Sequence, residues 1–164
     1  MYSAYSVVNV DYCVIEMTTP YKIPVSVLVV IHTPDLQVLL MERADHPGYW
    51  QSVTGSQNPG ETLRETAIRE VAEETGLNAA QFELSDDKQI NSYEIYPEWR
   101  HRYAPGVTTN TEHVWRLKLP TPMPIKLAQR QHVRYAWYSY QEAARQCFSP
   151  SNAAAILRLP QALT

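Results

Sequence analysis

Residues 55–77, GSQNPGETLRETAIREVAEETGL, are the most informative stretch of this sequence. They place Glu70, Glu73 and Glu74 within five residues. On a helix with about 100° per residue, these carboxylates fall within an arc of roughly 100°. Carboxylates this close repel one another, and a divalent cation with a preference for oxygen ligands, Mg²⁺ or Mn²⁺, removes the repulsion. The stretch therefore indicates a metal site, to which the backbone carbonyl of Gly55 could also contribute because glycine has no side chain.

The same stretch predicts a loop over residues 55–60 and a helix over residues 63–75. Thr62 is a good N-cap, and Glu65 three residues later completes a capping box. Gly76 suits the left-handed position that ends a helix. The helix is expected to bury a flank away from the glutamates, formed by Ile68, Val71 and Ala72.

Strands are predicted where β-branched or extended segments are bounded by turn residues, at 25–31, 38–43, 50–54, 88–96, 112–119 and 133–139. The first two are expected to form a hairpin, residues 97–110 a long loop, and the segment from Tyr140 onward one or two short helices. This alternation indicates an α/β fold. We expect one domain over residues 21–164, preceded by an extension at 1–20 that is either an added edge strand (residues 7–15) or a start codon placed too early.

Composition excludes several partners. The net charge is −3, and residues 55–77 account for all of it, with five glutamates against two arginines. The remainder is balanced, which argues against nucleic acid and against RNA binding through Arg100, His101 and Arg102. The longest apolar run, residues 27–31, is too short for a membrane span. Cys13 and Cys147 are expected to be free thiols, and a cytoplasmic location is expected because the N-terminus does not resemble a signal peptide.

The stretch matches the pattern G-x5-E-x7-R-E-U-x-E-E-x-G-U (U apolar) at all nine fixed positions, and so resembles the Nudix hydrolases. The resemblance implies an α/β/α sandwich with a mixed central sheet carrying the loop and helix. It also implies a pyrophosphohydrolase that uses Mg²⁺, with Mn²⁺ as a possible substitute, and Glu70, Glu73 and Glu74 as catalytic and metal-binding residues. The metal lowers the pKa of bound water, or a glutamate accepts its proton. Arg69 is expected to fix a neighbouring carboxylate.

Four further blocks resemble one branch of that family, the dihydroneopterin triphosphate pyrophosphatases of bacterial folate synthesis: PVSVLVVI from Pro24, WQSVTGS from Trp50, HRYAPGVT from His101 and NTE from Asn110. The branch releases pyrophosphate from its triphosphate substrate and leaves the monophosphate. Its substrate-contacting positions correspond here to Lys22, Arg43, Thr54, Tyr93, Glu94, Ile95, Tyr96 and Ser149. Cations suit phosphate oxygens, and tyrosines can stack on a flat pterin.

One position departs from the branch. Where the branch has a metal-binding carboxylate just before a histidine, this sequence has Gln131 before His132. Either the residues align differently, or another carboxylate such as Glu112 replaces it, or catalysis depends on the helix glutamates alone. Two other functions also stay open, a house-cleaning pyrophosphatase for nucleoside triphosphates such as dATP, and a nucleotide- or pterin-sensing module without turnover. The expected partner is a small-molecule triphosphate, and no protein partner is implied.

Overall fold

The computed structural model describes residues 20–163 and contains one mixed sheet with helices on both faces. The strands are β1 (Val25–His32), β2 (Gln37–Arg43), β3 (Trp50–Gln51), β4 (Val53–Ser56), β5 (Glu83–Glu94), β6 (Thr109–Lys118) and β7 (His132–Ser139). The α-helices are α1 (Leu63–Thr75), α2 (Tyr140–Gln146) and α3 (Pro150–Leu157). Short 3₁₀ helices occupy Ala79–Gln81, Pro97–Arg102 and Leu159–Leu163.

The sheet opens between its first two strands. β1 and β2 pair at His32 and Val38, which confirms the predicted hairpin. Beyond that point β4 pairs with β1 and β3 pairs with β2, so residues 50–56 fill the space where the two strands diverge. β6 pairs with β1 in parallel, while the other pairings are antiparallel, with β5 on β6 and β7 on β2. The mixed central sheet is thus confirmed.

The protein has two hydrophobic cores, one on each face of the sheet, and alternate side chains of β1 belong to each of them. Val27, Val29 and Ile31 pack with the apolar residues of α1, whereas Leu28 and Val30 pack with those of α2 and α3. All five are nearly inaccessible to solvent. Burying each such side chain contributes about 1.5–3 kcal/mol, so both helical layers are held to one strand and form the predicted α/β/α sandwich.

Both predicted ends of α1 are confirmed. The Thr62 hydroxyl accepts from the Glu65 backbone, the Glu65 carboxylate accepts from the Thr62 backbone, and Gly76 is left-handed. The predicted buried flank is wrong in part, because Ala72 is exposed and Ile68 only half-buried. Instead, Glu70 and Glu74 are buried. Their positions share one helical stripe with Ala67 and Val71, which are three or four residues apart from them.

Several predicted bounds are corrected by the structure. β5 begins at Glu83, not at 88, and ends before Tyr96. An irregularity between Asp86 and Ile90, where Lys88 has a φ of 56°, interrupts its pattern. Gly55 lies in β4 and not in a loop. The long loop contains a 3₁₀ helix at Pro97–Arg102, and β6 already begins within it.

The C-terminal segment forms two short helices, as predicted. Cys147 is a free thiol. The proposed edge strand at residues 7–15, the extension that contains it, and Cys13 lie outside the described residues. Within residues 20–163, no helix is both long and apolar enough to cross a membrane.

Candidate active site

A cavity of about 1030 Å³ lies where the sheet opens, and every substrate or metal residue predicted from the sequence lines it. Its walls come from β1, β2, β4, β5, β6 and α1, and from the residues around the start of α3. Two groups of polar side chains face this space. One combines the glutamates of α1 with several cations, and the other surrounds Glu112.

Glu70 packs directly against the backbone of Gly55. A Cβ atom on Gly55 would overlap the carboxyl carbon and both carboxylate oxygens of Glu70. This contact explains why a glycine occupies a strand position that faces α1: any side chain there would fill the space of the carboxylate. β4 and α1 therefore hold Gly55 and Glu70 as a single unit.

Arg69 ties the loop to the helix. Its Nε donates to Glu61 at 2.6 Å, its Nη1 to Glu70 at 2.6 Å, and its Nη2 to the carbonyl of Ser56 at 2.9 Å. These bonds from Arg69, opposed by slight desolvation, lower the pKa of Glu61 to about 2. The expectation that Arg69 fixes a carboxylate is confirmed, and Glu61 serves the loop, since it also accepts from the backbone of Asn58.

Glu70 and Glu74 destabilise each other as anions. Burial first, and then the charge of Glu74, raises the pKa of Glu70 to about 7, against the opposing effect of Arg69. Burial likewise raises the pKa of Glu74, although His132 opposes it with Nε2 at 3.2 Å from Glu74 Oε2. Two buried, mutually repelling carboxylates, one of them against the backbone of Gly55, are a donor set that a divalent cation would stabilise.

Glu73 differs from its two neighbours. It is exposed and touches Arg69 only at 3.4 Å. Among residues 20–163, no three His, Cys, Asp or Glu side chains are grouped to hold one ion. The structure thus brings together two of the three predicted metal-binding glutamates, Glu70 and Glu74, and leaves Glu73 at the edge of the cavity.

Three cations, Lys22, Arg43 and Arg102, face Glu70 and Glu74, which are called the acidic pair below. The pKa of Lys22 is lowered, first by desolvation and then by Arg102, with Arg43 adding to the repulsion and Glu70 and Glu74 opposing it. These charges are therefore close enough to act on one another. Arg43 is held in place by two bonds to Asp45 at 2.8 and 2.7 Å, and its guanidinium lies 4.7 Å from the centre of the Trp99 ring. Cations beside buried carboxylates suit a metal-bound polyphosphate.

The remaining predicted substrate residues play different structural parts. Thr54 donates its hydroxyl to the Val27 carbonyl and its backbone N–H to Glu74, so it supports the acidic pair. Ile95 is buried, and its carbonyl accepts from Arg100. Ser149 caps α3. Tyr93, Glu94 and Tyr96 are exposed in the cavity wall.

Sequence reasoning missed two groups in the cavity. Trp99 and Phe148 line it beside Tyr96, with ring centroids 5.2–6.4 Å apart. Asn91, Asn110 and Ser151 were also missed, and they surround Glu112 or its neighbour Tyr93. In the sequence, only the NTE block at residues 110–112 indicated that part of this second group contributes to the site. Among residues 20–163, Glu112 is not grouped with Glu70 and Glu74 around one ion position, and Gln131 is exposed in the cavity wall.

Comparison with known proteins identifies the family. A NUDIX domain matches residues 22–159. Dihydroneopterin triphosphate diphosphatase of Escherichia coli is 45% identical over 139 residues, which cover 83% of this chain and 91% of the relative. The protein of that name from Haemophilus influenzae is 38% identical over 139 residues, or 83% of this chain and 87% of the relative. The solved structure of the E. coli dihydroneopterin triphosphate pyrophosphohydrolase has a TM-score of 0.80 at 44% identity, covering 85% of this chain and 97% of that chain.

The chain belongs to the Nudix hydrolases, enzymes that act on diphosphate linkages. Nudix hydrolases in general depend on a divalent metal.

Proposed function

We propose that this protein hydrolyses dihydroneopterin triphosphate to dihydroneopterin monophosphate and pyrophosphate, as a cytoplasmic enzyme of folate biosynthesis carried by a single domain from residue 21 onward. The observation that carries the proposal is a single cavity in which Lys22, Arg43 and Arg102 face Glu70 and Glu74. The two relatives of that name, each aligned over 83% of the chain, support the choice of substrate.

The acidic pair is the site we assign to Mg²⁺. Glu70 and Glu74 would hold the ion, the carbonyl of Gly55 would complete the protein ligands, and Glu73 would contribute from the cavity edge. When bound, the ion supplies neutralisation of phosphate charge and a lowered pKa for attacking water. Arg69 keeps Glu70 in position through its 2.6 Å bond.

The cations bind and orient the triphosphate. Lys22 and Arg102 approach from one wall and Arg43 from β2, so that negative phosphate oxygens are matched by fixed positive charge. The planar head group would lie against Tyr93 and Tyr96, whose rings are exposed in the wall. Glu94, Ile95 and Ser149 line the same region, and Thr54 acts through Glu74.

Because Gln131 stands where the related enzymes have a carboxylate, the general base has to be another residue. With no carboxylate there, and with Glu112 outside the acidic group, catalysis would depend on the α1 glutamates. Glu70 is our candidate base, because its carboxylate is held by Arg69 in the cavity wall beside the proposed ion, within reach of a water bound there.

The test is a comparison of kcat/KM for dihydroneopterin triphosphate and dATP with Mg²⁺ present. We expect the pterin substrate to be preferred, with one pyrophosphate released per molecule. A preference for dATP of about ten-fold or more would instead assign a house-cleaning nucleotide pyrophosphatase. Binding of either compound with no pyrophosphate release would indicate a sensing module.

A further inference from the structure

Glu112 is a buried carboxylate that the proposed chemistry leaves unused. It lies on β6, is 4% exposed and forms part of the cavity wall. Its Oε1 accepts from Asn91 Nδ2 at 3.2 Å and from Ser151 Oγ at 2.9 Å. Both donors are neutral, and burial raises the pKa of Glu112. The fold thus keeps an acid in the wall of the cavity, and no cation of residues 20–163 pairs with it.

The second oxygen of this carboxylate is left free. Both donors bind Oε1, and no hydrogen bond from a residue in the range 20–163 reaches Oε2. Among residues 20–163, Oε2 does not belong to the fully buried polar atoms without a partner, so it is open to the cavity while the rest of the side chain is enclosed. Since Glu112 lines the cavity, Oε2 is the acceptor offered to whatever the cavity binds.

The surroundings of Glu112 suit a flat, polar ring. Asn110 Nδ2 donates to Ser26 Oγ at 2.7 Å and to the Tyr93 hydroxyl at 3.1 Å, which fixes the tyrosine. Tyr93 lies close enough to Glu112 that the carboxylate, after burial, helps to raise the tyrosine pKa to about 12. A phenol ring held beside a free carboxylate oxygen offers a stacking surface and an acceptor together.

We propose that Glu112 determines substrate specificity by accepting, at Oε2, a hydrogen bond from the 2-amino group of the pterin. This inference rests on the proposed function. A pterin presents that amino group beside a ring N–H, so that both groups on this edge of the ring are donors and neither repels Oε2. Adenine presents its amino group beside an unprotonated ring nitrogen, whose lone pair would face the negative charge. Guanine carries the same 2-amino group and neighbouring ring N–H as the pterin. Glu112 would therefore favour any ring with this pair of donors over adenine, and not the pterin alone.

The first test is Glu112→Gln, with Glu83→Gln as the matched control at the far end of the paired strand β5, where Glu83 is exposed. Because Asn91 and Ser151 both donate to Oε1, the glutamine keeps its amide oxygen there and places its NH₂ group where Oε2 was. That NH₂ group is a hydrogen-bond donor and cannot accept from the amino group of the pterin. We expect kcat/KM for dihydroneopterin triphosphate to fall about 30-fold or more, while that for dATP stays within about three-fold and the control is unchanged. Equal losses on both substrates, or no loss on either, would overturn the proposal.

The second test needs no variant. The unaltered enzyme is compared on dGTP and dITP, which differ only by the 2-amino group. We expect dGTP to be favoured about ten-fold or more in kcat/KM, and equal values would overturn the role of Glu112. This arm separates the two proposals: a dATP preference over dihydroneopterin triphosphate rejects the proposed function, whereas the dGTP-to-dITP ratio reports recognition of the amino group alone.

Discussion

A methyl group added at Gly55 tests the packing on which the acidic pair depends. The alanine Cβ would overlap the carboxyl group of Glu70. Glu70 is 7% exposed and held by Arg69, so it can relieve the overlap only by leaving its position. Overpacking of this kind costs about 2 kcal/mol, which lowers the Tm of a chain this size by roughly 4–8 °C. Misplacing a catalytic group by about 1 Å lowers turnover about 100-fold.

Urea unfolding without metal and pyrophosphate release with Mg²⁺ measure the two effects of Gly55→Ala. Gly106→Ala is the control, because no atom of residues 20–163 lies within 4 Å of the Cβ it would gain, although its φ is also positive, at 86°. That backbone conformation costs alanine about 1–2 kcal/mol, so the control should lose similar stability and keep its kcat.

A double-mutant cycle identifies the cause. In a Glu70→Ala background the overlap is absent, and the stability cost of Gly55→Ala should fall below about 0.5 kcal/mol. The same cost in both backgrounds would refute the argument, because the loss would then come from the backbone of β4 and not from Glu70.

Three other variants separate stability from function. Thr62→Ala removes half of the capping box and should lower the free energy of unfolding by about 1 kcal/mol in urea with kcat unchanged; a loss of turnover would show that the cap does more than hold α1. Arg69→Ala leaves Glu61 and Glu70 without their cation and should cost about 3 kcal/mol, so a Tm shift under about 2 °C would contradict its structural role. Lys22→Ala should raise KM for the triphosphate about ten-fold with little change in Tm, and an unchanged KM would remove Lys22 from the phosphate site.

Local signals in the sequence were sufficient for α1. The capping box and Gly76 depend on residues within one turn of each helix end, and both were predicted correctly. The burial of Glu70 and Glu74 was not, because it depends on β4 and His132, which the fold brings from outside the helix. Composition alone assigns glutamate to the surface.

Non-local pairing also explains the other errors. The start of β5 was missed because Lys88, in a left-handed conformation, breaks the alternation that identifies a strand. The environment of Glu112 combines Asn91 from β5, Ser151 from α3 and Glu112 from β6, which are far apart in sequence. No spacing rule connects such residues, so the free oxygen of Glu112 became visible only in the structure.

The assignment of Glu70 and Glu74 to the metal is tested by pyrophosphate release from dihydroneopterin triphosphate, measured for the unaltered enzyme, Glu70→Gln and Glu74→Gln with and without Mg²⁺. We predict one pyrophosphate per substrate from the unaltered enzyme, only with the metal, and a kcat lower by about 100-fold or more in both variants. Their melting temperatures without metal should be equal or higher, because each change removes a repelling buried charge. Unaltered turnover in both variants would contradict the assignment of Glu70 and Glu74 as the metal site.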